Sequence, residues 1–581
     1  MISFDYQDPS SALGQCPKVP TLLHALVHHA QTKPQGLGLA DQARSLTFAQ
    51  WALRVWAIKH LLEPKLSAAG VKCGCNHPAA PPTPNDLTVT PGAAVLLPAL
   101  PQVDYLCLYY ALCLCQVIVV PCDPNSTSAT LDYYAQQSGA QVLLNYGTPM
   151  ASAAIQSLDV TALLSKADAL LPQLKSDAPA TLAAMAAALP SPEAYESIYF
   201  TSGTTGKSKA VLLTHANTLH GGLNSVSTCA KFSSDIEILT TPIFHAQAAS
   251  SFRANLILGA ASVLFPSFYR PEELQALIDQ YQCNALNLVP ATLKLLNESL
   301  GDAAFCQLLA PLRLIEVGTA PTDSASKRHY STILPHTWFL YNYGATECSR
   351  TVFNLVCGDF LARTERSAPP GFVYGKNHQG QCFATSAELS ALGRPVPLCQ
   401  AKVLDDCGNE LPCGTPGRLV FAGGMVMQGY LHQPELTAQA ISPGRYYSSD
   451  CGYLDEYGFI HILGRIDDVI NMGGEKISPQ EIEDAVLGVP GIAECCCIGG
   501  EDALLGVIPV LYYTVKADAE LTESSLKQAL RRTLDRSHRP KIYVQQATLP
   551  KNHVGKVDRK ALKQQWQHSA AYRNLQLSRG A

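Results

Sequence analysis

The sequence lacks the features that mark secreted, membrane and nucleic-acid-binding proteins. Residues 1–11 are polar and acidic, with neither a basic segment nor an apolar run, so no secretory signal is visible. The most apolar stretch, 105–120, is too short to span a bilayer comfortably and is closed by Pro121. The net charge is −5 and no long basic run is present, which argues against nucleic acid or a membrane surface as partner. We expect a cytoplasmic protein without a membrane span.

Zinc-finger and disulfide patterns are also missing, although the chain has 20 cysteines. Cys73, Cys75 and His77 are close in sequence, but no second ligand pair follows at finger spacing, so a metal site there is disfavoured. Without a secretory signal, we expect most of the cysteines to be reduced thiols buried as small apolar side chains.

The apolar pattern indicates an α/β protein. At 581 residues the chain is too long for one core, so two or more domains are expected. A helical pattern from Pro271 is followed by a strand-like run at 285–289, and such alternation predicts mostly parallel sheets with helices on both faces. The segment 105–120 is interpreted as a buried helix that runs into a buried strand. Two segments, 73–85 and 359–391, are irregular and resemble insertions.

A domain boundary is expected directly after Gly464 and Arg465. A new amphipathic helix is predicted to start near Ser478 and Pro479, because apolar residues then recur at helical spacing. The remaining hundred or so residues are enough for a small α/β domain.

The strongest local signal is YFTSGTTGKSK at 199–209. Glycines let the backbone approach a polyanion, hydroxyls add donors, and lysines supply positive charge for phosphate. It differs from the common P-loop because Gly203 and Gly206 are separated by two residues instead of four. A flexible linker is the alternative, but the strand-like runs on both sides favour a tight turn at a sheet edge.

This loop resembles the phosphate-loop signature of the acyl-adenylate-forming superfamily, which includes acyl-CoA synthetases, adenylation domains of nonribosomal peptide synthetases and firefly luciferase. Each further motif alone would fit an ordinary turn or charge cluster, but they recur in the family's order. They are PIFH (242–245), VGTAP (317–321), YNYGATE (341–347), YSSD (447–450), GRIDD (464–468), NMGGEKISPQEIE (471–483) and PKNHVGKVDR (550–559).

The resemblance implies a large N-terminal domain of layered sheets and helices (1–464), a hinge (465–468) and a small mobile C-terminal α/β lid domain (469–581). It also implies site residues. They are Lys556, Thr346 and His245 for catalysis; Thr201, Ser202, Gly203, Thr204, Thr205, Gly206, Lys207, Gly318, Ala320, Pro321, Asn342, Tyr343, Gly344, Asp450 and Arg465 for ATP and AMP; Glu347 for Mg²⁺; Asp467 for the hinge; and Gly473 and Gly474 for the thiol path.

Two positions depart from the family's pattern. Ser449 stands where a glycine is more common, and Arg418 stands where a glutamate is usual. The first puts local backbone shape in question, and the second bears on stability or domain contacts more than on chemistry.

The reaction implied by the resemblance is attack of a carboxylate on the α-phosphorus of ATP, with release of pyrophosphate, followed by acyl transfer to the thiol of coenzyme A. Transfer to the phosphopantetheine of an acyl carrier protein and a non-catalytic adenylate-binding role remain as alternatives. Members of that family that activate amino acids carry an aspartate just after the pocket aromatic, where it pairs with the substrate ammonium. No acidic residue directly follows His245, so the resemblance disfavours an α-amino acid as the small-molecule substrate. Arg253 could pair with a second carboxylate of the substrate, although a satisfied or outward-facing arginine is the more common case.

Overall fold

The structure is a computed structural model that describes most residues of the chain. These are residues 16–77, 87–147, 150–201, 208–227, 231–265, 270–319, 322–357, 391, 393–396, 398–442, 444–456, 458–472, 475–502, 506–517, 519–536, 538–551 and 557–569.

The helices in these residues lie partly where the sequence predicts them, within 105–120, from Pro271 and near Ser478, and partly in segments without a prediction. They are α1 (Leu22–Thr32), α2 (Phe48–Ala68), α3 (Val103–Leu114), α4 (Ser128–Ser138), α5 (Thr161–Ser176), α6 (Ala178–Ala187), α7 (His215–Ser227), α8 (Ala246–Leu258), α9 (Pro271–Tyr281), α10 (Pro290–Leu309), α11 (Ser324–Ile333), α12 (Pro434–Ala440), α13 (Pro479–Leu487), α14 (Glu523–Thr533) and α15 (Arg559–Gln567).

The strands are mostly short. They are β1 (Leu37–Ala40), β2 (Ser45–Thr47), β3 (Ala94–Pro98), β4 (Ile118–Cys122), β5 (Val142–Asn145), β6 (Gln156–Asp159), β7 (Tyr195–Thr201), β8 (Lys209–Thr214), β9 (Ile236–Leu239), β10 (Ala261–Leu264), β11 (Ala285–Leu288), β12 (Leu314–Val317), β13 (Trp338–Ala345), β14 (Arg350–Cys357), β15 (Arg394–Pro395), β16 (Gln400–Leu404), β17 (Gly417–Ala422), β18 (Gly429–Tyr430), β19 (Ile441–Ser442), β20 (Arg445–Leu454), β21 (Ile460–Arg465), β22 (Ile470–Met472), β23 (Glu475–Ile477), β24 (Ile492–Asp502), β25 (Gly506–Val515) and β26 (Ile542–Gln545).

Local sequence signals explain several helix starts. In α9, Pro271 occupies the first turn together with two acidic residues, and the apolar positions Leu274 and Leu277 face the interior. In α13, the hydroxyl of Ser478 accepts a hydrogen bond from the backbone N–H of Glu481. Both starts agree with the sequence prediction, as does the buried helix–strand pair α3 and β4.

The described residues divide into two compact units: Met1–Thr322, Ser326–Ala401 and Phe421–Tyr447 in the first, and Asp323–Ala325, Lys402–Val420 and Ser448–Ala581 in the second. The boundary predicted after Arg465 and the predicted hinge at 465–468 remain predictions.

The first unit has two large sheets. One has the order β15-β14-β13-β12-β11-β9-β10-β1-β2, and the other has the order β18-β8-β7-β4-β3-β5-β6. The neighbouring pairs from β13 through β1 are parallel, whereas antiparallel strands lie at the margins. The mixed α/β class predicted from the sequence is therefore confirmed.

The largest apolar cluster of the first unit joins α1, α2 and α3 to α7 and α8. Within it, the ring of Phe252 on α8 lies 5.9 Å from that of Trp51 and 6.1 Å from that of Tyr110. In the second unit, a sheet of order β23-β22-β25-β24, with β26 beside β25, packs against α13, α14 and α15. A further five-stranded sheet has the order β16-β17-β20-β19, and β21 pairs with β20.

No helix in the described ranges is both long enough and apolar enough to cross a membrane. The cysteines seen in those ranges are free thiols, and most of them are buried.

Candidate active site

The predicted phosphate loop joins two paired strands. β7 ends at Thr201, β8 begins at Lys209, and these two residues face each other in an antiparallel register. β8 pairs on its other side with the edge strand β18, so β8 lies one strand from a margin of this sheet. The predicted phosphate ligands Ser202, Gly203, Thr204, Thr205, Gly206 and Lys207 themselves lie outside the described residues.

Glu347 lies close to the start of β8, although the two are far apart in sequence. β13 leads into a short 3-10 turn, Thr346–Cys348, that carries Thr346 and Glu347. The hydroxyl of Tyr430 donates to Oε1 of Glu347 at 2.7 Å, and Nζ of Lys209 lies 5.0 Å above the Tyr430 ring. Tyr430 therefore links the base of the predicted phosphate loop to the predicted metal ligand.

Sequence reasoning missed Tyr430. It belongs to the two-residue strand β18, which pairs with β8 in an antiparallel register that joins Tyr430 to Val211. Such a long-range pairing leaves no periodic signal in the sequence.

The environment of Glu347 also affects Tyr446. Burial is the main cause that raises the pKa of Tyr446 well above its usual range, and the negative charge of Glu347 raises that pKa further.

The two segments predicted to contact adenine follow adjacent parallel strands. Val317 and Tyr341 are register partners in β12 and β13. Gly318 and Asn342, the residues that directly follow them, therefore start from neighbouring positions on two adjacent strands. Thr319 has a φ of +76°, a backbone conformation that residues with a Cβ rarely adopt because it is strained. Ala320 and Pro321 lie outside the described residues.

The other residues of this motif differ in their surroundings. The side-chain amide of Asn342 donates to Oε1 of Glu316 at 2.5 Å. The ring of Tyr343 is half-buried and makes an edge contact with Phe421 at 6.1 Å. Gly344 lies at a shift in the register between β13 and β14.

Glu316, the hydrogen-bond acceptor of Asn342, belongs to a buried network of charged side chains. Nζ of Lys231 lies 2.6 Å from Oε2 of Glu237 and 3.0 Å from Oε2 of Glu316, and all three side chains are almost completely buried. The hydroxyl of Ser251 on α8 also donates to Glu316 at 2.6 Å. Burial raises the pKa of Glu237, Lys231 lowers it, and the nearby Glu316 raises it again. None of the sequence motifs indicated this network.

His245 occupies the residue directly before α8. Its ring is exposed and lies 4.4 Å from that of Phe244. Its predicted place at the mouth of the acyl pocket and its catalytic role remain predictions.

Asp450 and Arg465 are brought together in the second unit. They are register partners in the antiparallel strands β20 and β21, and Nη1 of Arg465 lies 3.3 Å from Oδ1 of Asp450. One nitrogen of Arg418 donates to the carbonyl of Ser448 at 3.3 Å. The unusual arginine thus supports the backbone of the motif that holds Asp450.

The predicted hinge residue Asp467 is exposed, and its carbonyl accepts a hydrogen bond from Nζ of Lys563 at 3.3 Å. Gly473, Gly474 and Lys556 lie outside the described residues. Lys551 and Val557, which flank the segment that carries Lys556, form an antiparallel bridge.

Within the described ranges, no three histidine, cysteine or carboxylate side chains come together as ligands for a metal ion. The described ranges include Cys73, Cys75 and His77. A carboxylate such as that of Glu347 is the type of ligand that Mg²⁺ prefers, usually together with phosphate oxygens of a substrate.

Two family models and several curated proteins match this chain. The model of the AMP-binding enzyme family matches residues 85–431, and that of the AMP-binding enzyme C-terminal domain matches residues 481–556. A long-chain-fatty-acid–CoA ligase of Escherichia coli O6:H1 is 30% identical over 377 residues, which cover 64% of this chain and 62% of that protein. A sulfoacetate–CoA ligase of Cupriavidus necator is 29% identical over 455 residues, covering 77% of this chain and 82% of that protein.

Solved structures give the same fold at low identity. The o-succinylbenzoate CoA synthetase of Bacillus subtilis, in complex with its acyl-adenylate intermediate, has a TM-score of 0.71 at 21% identity and covers 93% of this chain and 97% of its own. ATP-bound MatB of Rhodopseudomonas palustris has a TM-score of 0.71 at 22% identity, with 95% and 99% covered. The resemblance found in the motifs is confirmed, and the chain belongs to the AMP-binding enzyme family.

Proposed function

We propose that this protein is an AMP-forming acid–thiol ligase that activates a carboxylic acid with ATP and transfers the acyl group to coenzyme A. The observation that carries the proposal is the match to both the AMP-binding and the C-terminal family models, in that order, on one chain. The two curated relatives described above are named as CoA ligases, and so are 2-succinylbenzoate–CoA ligases that are 28–29% identical to this chain.

The nucleotide would be bound by groups whose chemistry suits each of its parts. The hydroxyls and backbone of Thr201 and 202–207 suit phosphate oxygens, and Lys207 adds positive charge. Gly318, Ala320, Pro321, Asn342, Tyr343 and Gly344 form the surface proposed for adenine. An ionised Asp450 only accepts hydrogen bonds, which suits the two ribose hydroxyls, and Arg465 beside it would orient the carboxylate.

Glu347 would hold Mg²⁺ together with phosphate oxygens, and Tyr430 would orient its carboxylate. A bound Mg²⁺ would neutralise charge on the phosphates of ATP. Thr346 lies next to Glu347 and would contact the same phosphates.

In the first step an oxygen of the substrate carboxylate attacks the α-phosphorus, an O–P bond forms, and the bond to pyrophosphate breaks. Lys556 would bridge the carboxylate and the α-phosphate, so that catalysis consists of positioning and charge stabilisation. His245 would border the entrance for the acid. In the second step the thiol sulfur of coenzyme A attacks the acyl carbon, loses its proton, and AMP leaves. Gly473 and Gly474 would line the thiol path after rotation about Asp467.

A panel of carboxylic acids tests the proposal. We expect pyrophosphate release with ATP for at least one acid, and a mass-spectrometric acyl-CoA product when coenzyme A is added. If that acid is transferred to the pantetheine of a carrier protein but not to coenzyme A, the proposed acceptor is wrong, whereas the proposed adenylation step holds. If no acid of the panel drives pyrophosphate release, the proposal fails.

Asp450→Ala should weaken ATP binding without unfolding the protein, because it removes the acceptors proposed for the ribose hydroxyls. Loss of such hydrogen bonds costs about 1–3 kcal/mol, or about 5- to 150-fold in Kd, which calorimetry measures. Asp455→Ala is the matched control, since Asp455 pairs with His461 in the same hairpin outside the motif. Equal ATP affinity in wild type and Asp450→Ala would exclude the ribose role.

A further inference from the structure

Two cysteines lie side by side at the edge of the largest apolar cluster of the first unit. Cys73 comes shortly after α2 and opens the irregular segment 73–85, and Cys115 is the residue directly after α3. The backbone N–H of Gly74 donates to the carbonyl oxygen of Cys115 at 3.1 Å, which holds these two stretches of chain together. Both cysteines are free thiols, and neither has a role in the proposed reaction.

The two thiols differ in their access to solvent. Cys115 is 2% exposed and belongs to the apolar cluster. Cys73 is half-buried and packs against that cluster from outside. Cys73 is therefore open to a small reagent in solution, whereas Cys115 is reached through Cys73.

The contact between the thiols changes the acidity of Cys73. The thiol of Cys115 donates a hydrogen bond to the sulfur of Cys73, and this is the main cause that lowers the pKa of Cys73 to about 7, against the opposing effect of burial. A hydrogen bond from the hydroxyl of Ser67 lowers that pKa further. The same contact, together with burial, raises the pKa of Cys115, so Cys115 stays protonated as the donor. The carbonyl oxygen of Lys59 is a second acceptor near Cys115, at a longer 4.0 Å.

Other thiols in this part of the chain have the opposite character. Burial raises the pKa of Cys107, Cys113 and Cys122, so these thiols stay protonated and unreactive. The thiolate is the form of cysteine that reacts with peroxides, and an accessible thiolate beside a second thiol is typical of redox-sensitive sites. A disulfide also needs two side chains that point towards each other, which the hydrogen bond between Cys73 and Cys115 provides.

A metal site explains the same cysteines less well. Cys75 and His77 follow Cys73 at alternate positions, but in the part of the chain that the structure describes no three possible ligands come together. Structural zinc is held by four such ligands. The arrangement is therefore a pair of thiols and not a metal-binding cluster.

We propose that Cys73 and Cys115 are a redox-modification site, at which a peroxide oxidises Cys73 and Cys115 then closes a reversible disulfide. In the first step the Cys73 thiolate attacks one peroxide oxygen, an S–O bond forms, the O–O bond breaks and hydroxide leaves. In the second step the sulfur of Cys115 attacks the sulfur of the Cys73 sulfenic acid, an S–S bond forms, and the hydroxyl leaves with the proton of Cys115 as water. The peroxide gains the two electrons that the sulfurs lose, and a small-molecule thiol returns them.

Peroxide treatment followed by peptide mapping without reduction tests the proposal. Digestion with trypsin and with a protease that cleaves before aspartate separates 73–85 from 104–122 unless a disulfide joins them. After a molar excess of hydrogen peroxide slightly above neutral pH, we expect a joined peptide whose fragment spectrum assigns the bond to Cys73 and Cys115. Dithiothreitol should separate the two peptides again.

Three variants distinguish the partners. Cys73→Ser should abolish the joined peptide and leave Cys115 reduced, because Cys115 is buried. Cys75→Ser is the matched control, since it changes a half-buried thiol of the same segment and should still form the joined peptide. In Cys115→Ala the oxidation of Cys73 should stop at the sulfenic acid, which dimedone labels. Alkylation of Cys73 by iodoacetamide should also reach half of its maximal rate at a pH about one unit higher than in the wild type, because the hydrogen-bond donor is gone.

The outcomes do not depend on the ligase activity, because the assay contains no substrate. Separate peptides in the oxidised wild type, or a bond from Cys75 in place of Cys73, would overturn the proposal. An alkylation midpoint of Cys73 that is the same in Cys115→Ala would overturn it as well. If Cys115→Ala does not fold, the other proteins decide: the joined peptide must form in the wild type and in Cys75→Ser and must be absent from Cys73→Ser.

Discussion

Lys556→Ala is expected to reduce acyl-adenylate formation by about 100- to 1,000-fold, while thioester formation from a preformed acyl-adenylate stays near the wild-type rate. In the proposed reaction Lys556 stabilises charge on the carboxylate and the α-phosphate during the first step, and removing one such donor has an effect of this size. The second step exchanges AMP for the thiol and does not need that contact. Pyrophosphate release measures the first step, and acyl-CoA formation from synthetic acyl-adenylate measures the second.

Lys551→Ala is the matched control. Lys551 flanks the same segment but forms an ion pair with Glu494 at 2.5 Å, and both side chains are more than one third exposed. Such surface pairs contribute little to stability, so both half-reactions should stay close to wild type. A loss of the two half-reactions by the same factor in Lys556→Ala would contradict the assignment.

The fold class could be predicted because local signals and tertiary structure agree in the segments where the sequence pattern is clear. Pro271 and the acidic residues after it start a helix in the sequence and in the structure. The apolar run 105–120 becomes α3 and β4 because a continuous run without alternation is typical of elements buried on all sides. The order of helices and strands along the chain could be inferred from such patterns, whereas the pairing of strands that are far apart in sequence could not.

In the candidate site, too, residues in local motifs could be predicted and residues placed by long-range pairing could not. Glu347, Asp450 and Arg465 were predicted because they belong to short motifs, and the structure places the last two side by side. Tyr430 was missed because its contact with Glu347 depends on the pairing of β18 with β8. Arg253 was expected to be either satisfied or outward-facing, and it is buried with a hydrogen bond to the hydroxyl of Tyr199 at 3.2 Å, which is the first of these two cases.

Lys231→Met is expected to lower the free energy of unfolding by about 3–5 kcal/mol. The ammonium group of Lys231 lies between the carboxylates of Glu237 and Glu316, and its removal leaves two buried acids without a positive partner. Chemical denaturation followed by circular dichroism measures the change. Lys294→Met is the control, because its pair with Glu298 spans 3.9 Å and both side chains are 61% exposed, so the change should stay below about 1 kcal/mol.

The loss in Lys231→Met should also depend on pH. Burial already raises the pKa of Glu237, and losing Lys231 removes the main influence that lowers it. A carboxyl whose pKa is higher in the folded protein than in the unfolded chain favours folding at low pH, and this contribution is lost as the pH rises through the folded pKa. The destabilisation should therefore be larger at pH 8 than at pH 5.5, and Lys231→Met/Glu237→Gln should recover part of it. A loss independent of pH and unrelieved by Glu237→Gln would mean that Lys231 stabilises the core by packing and not by charge.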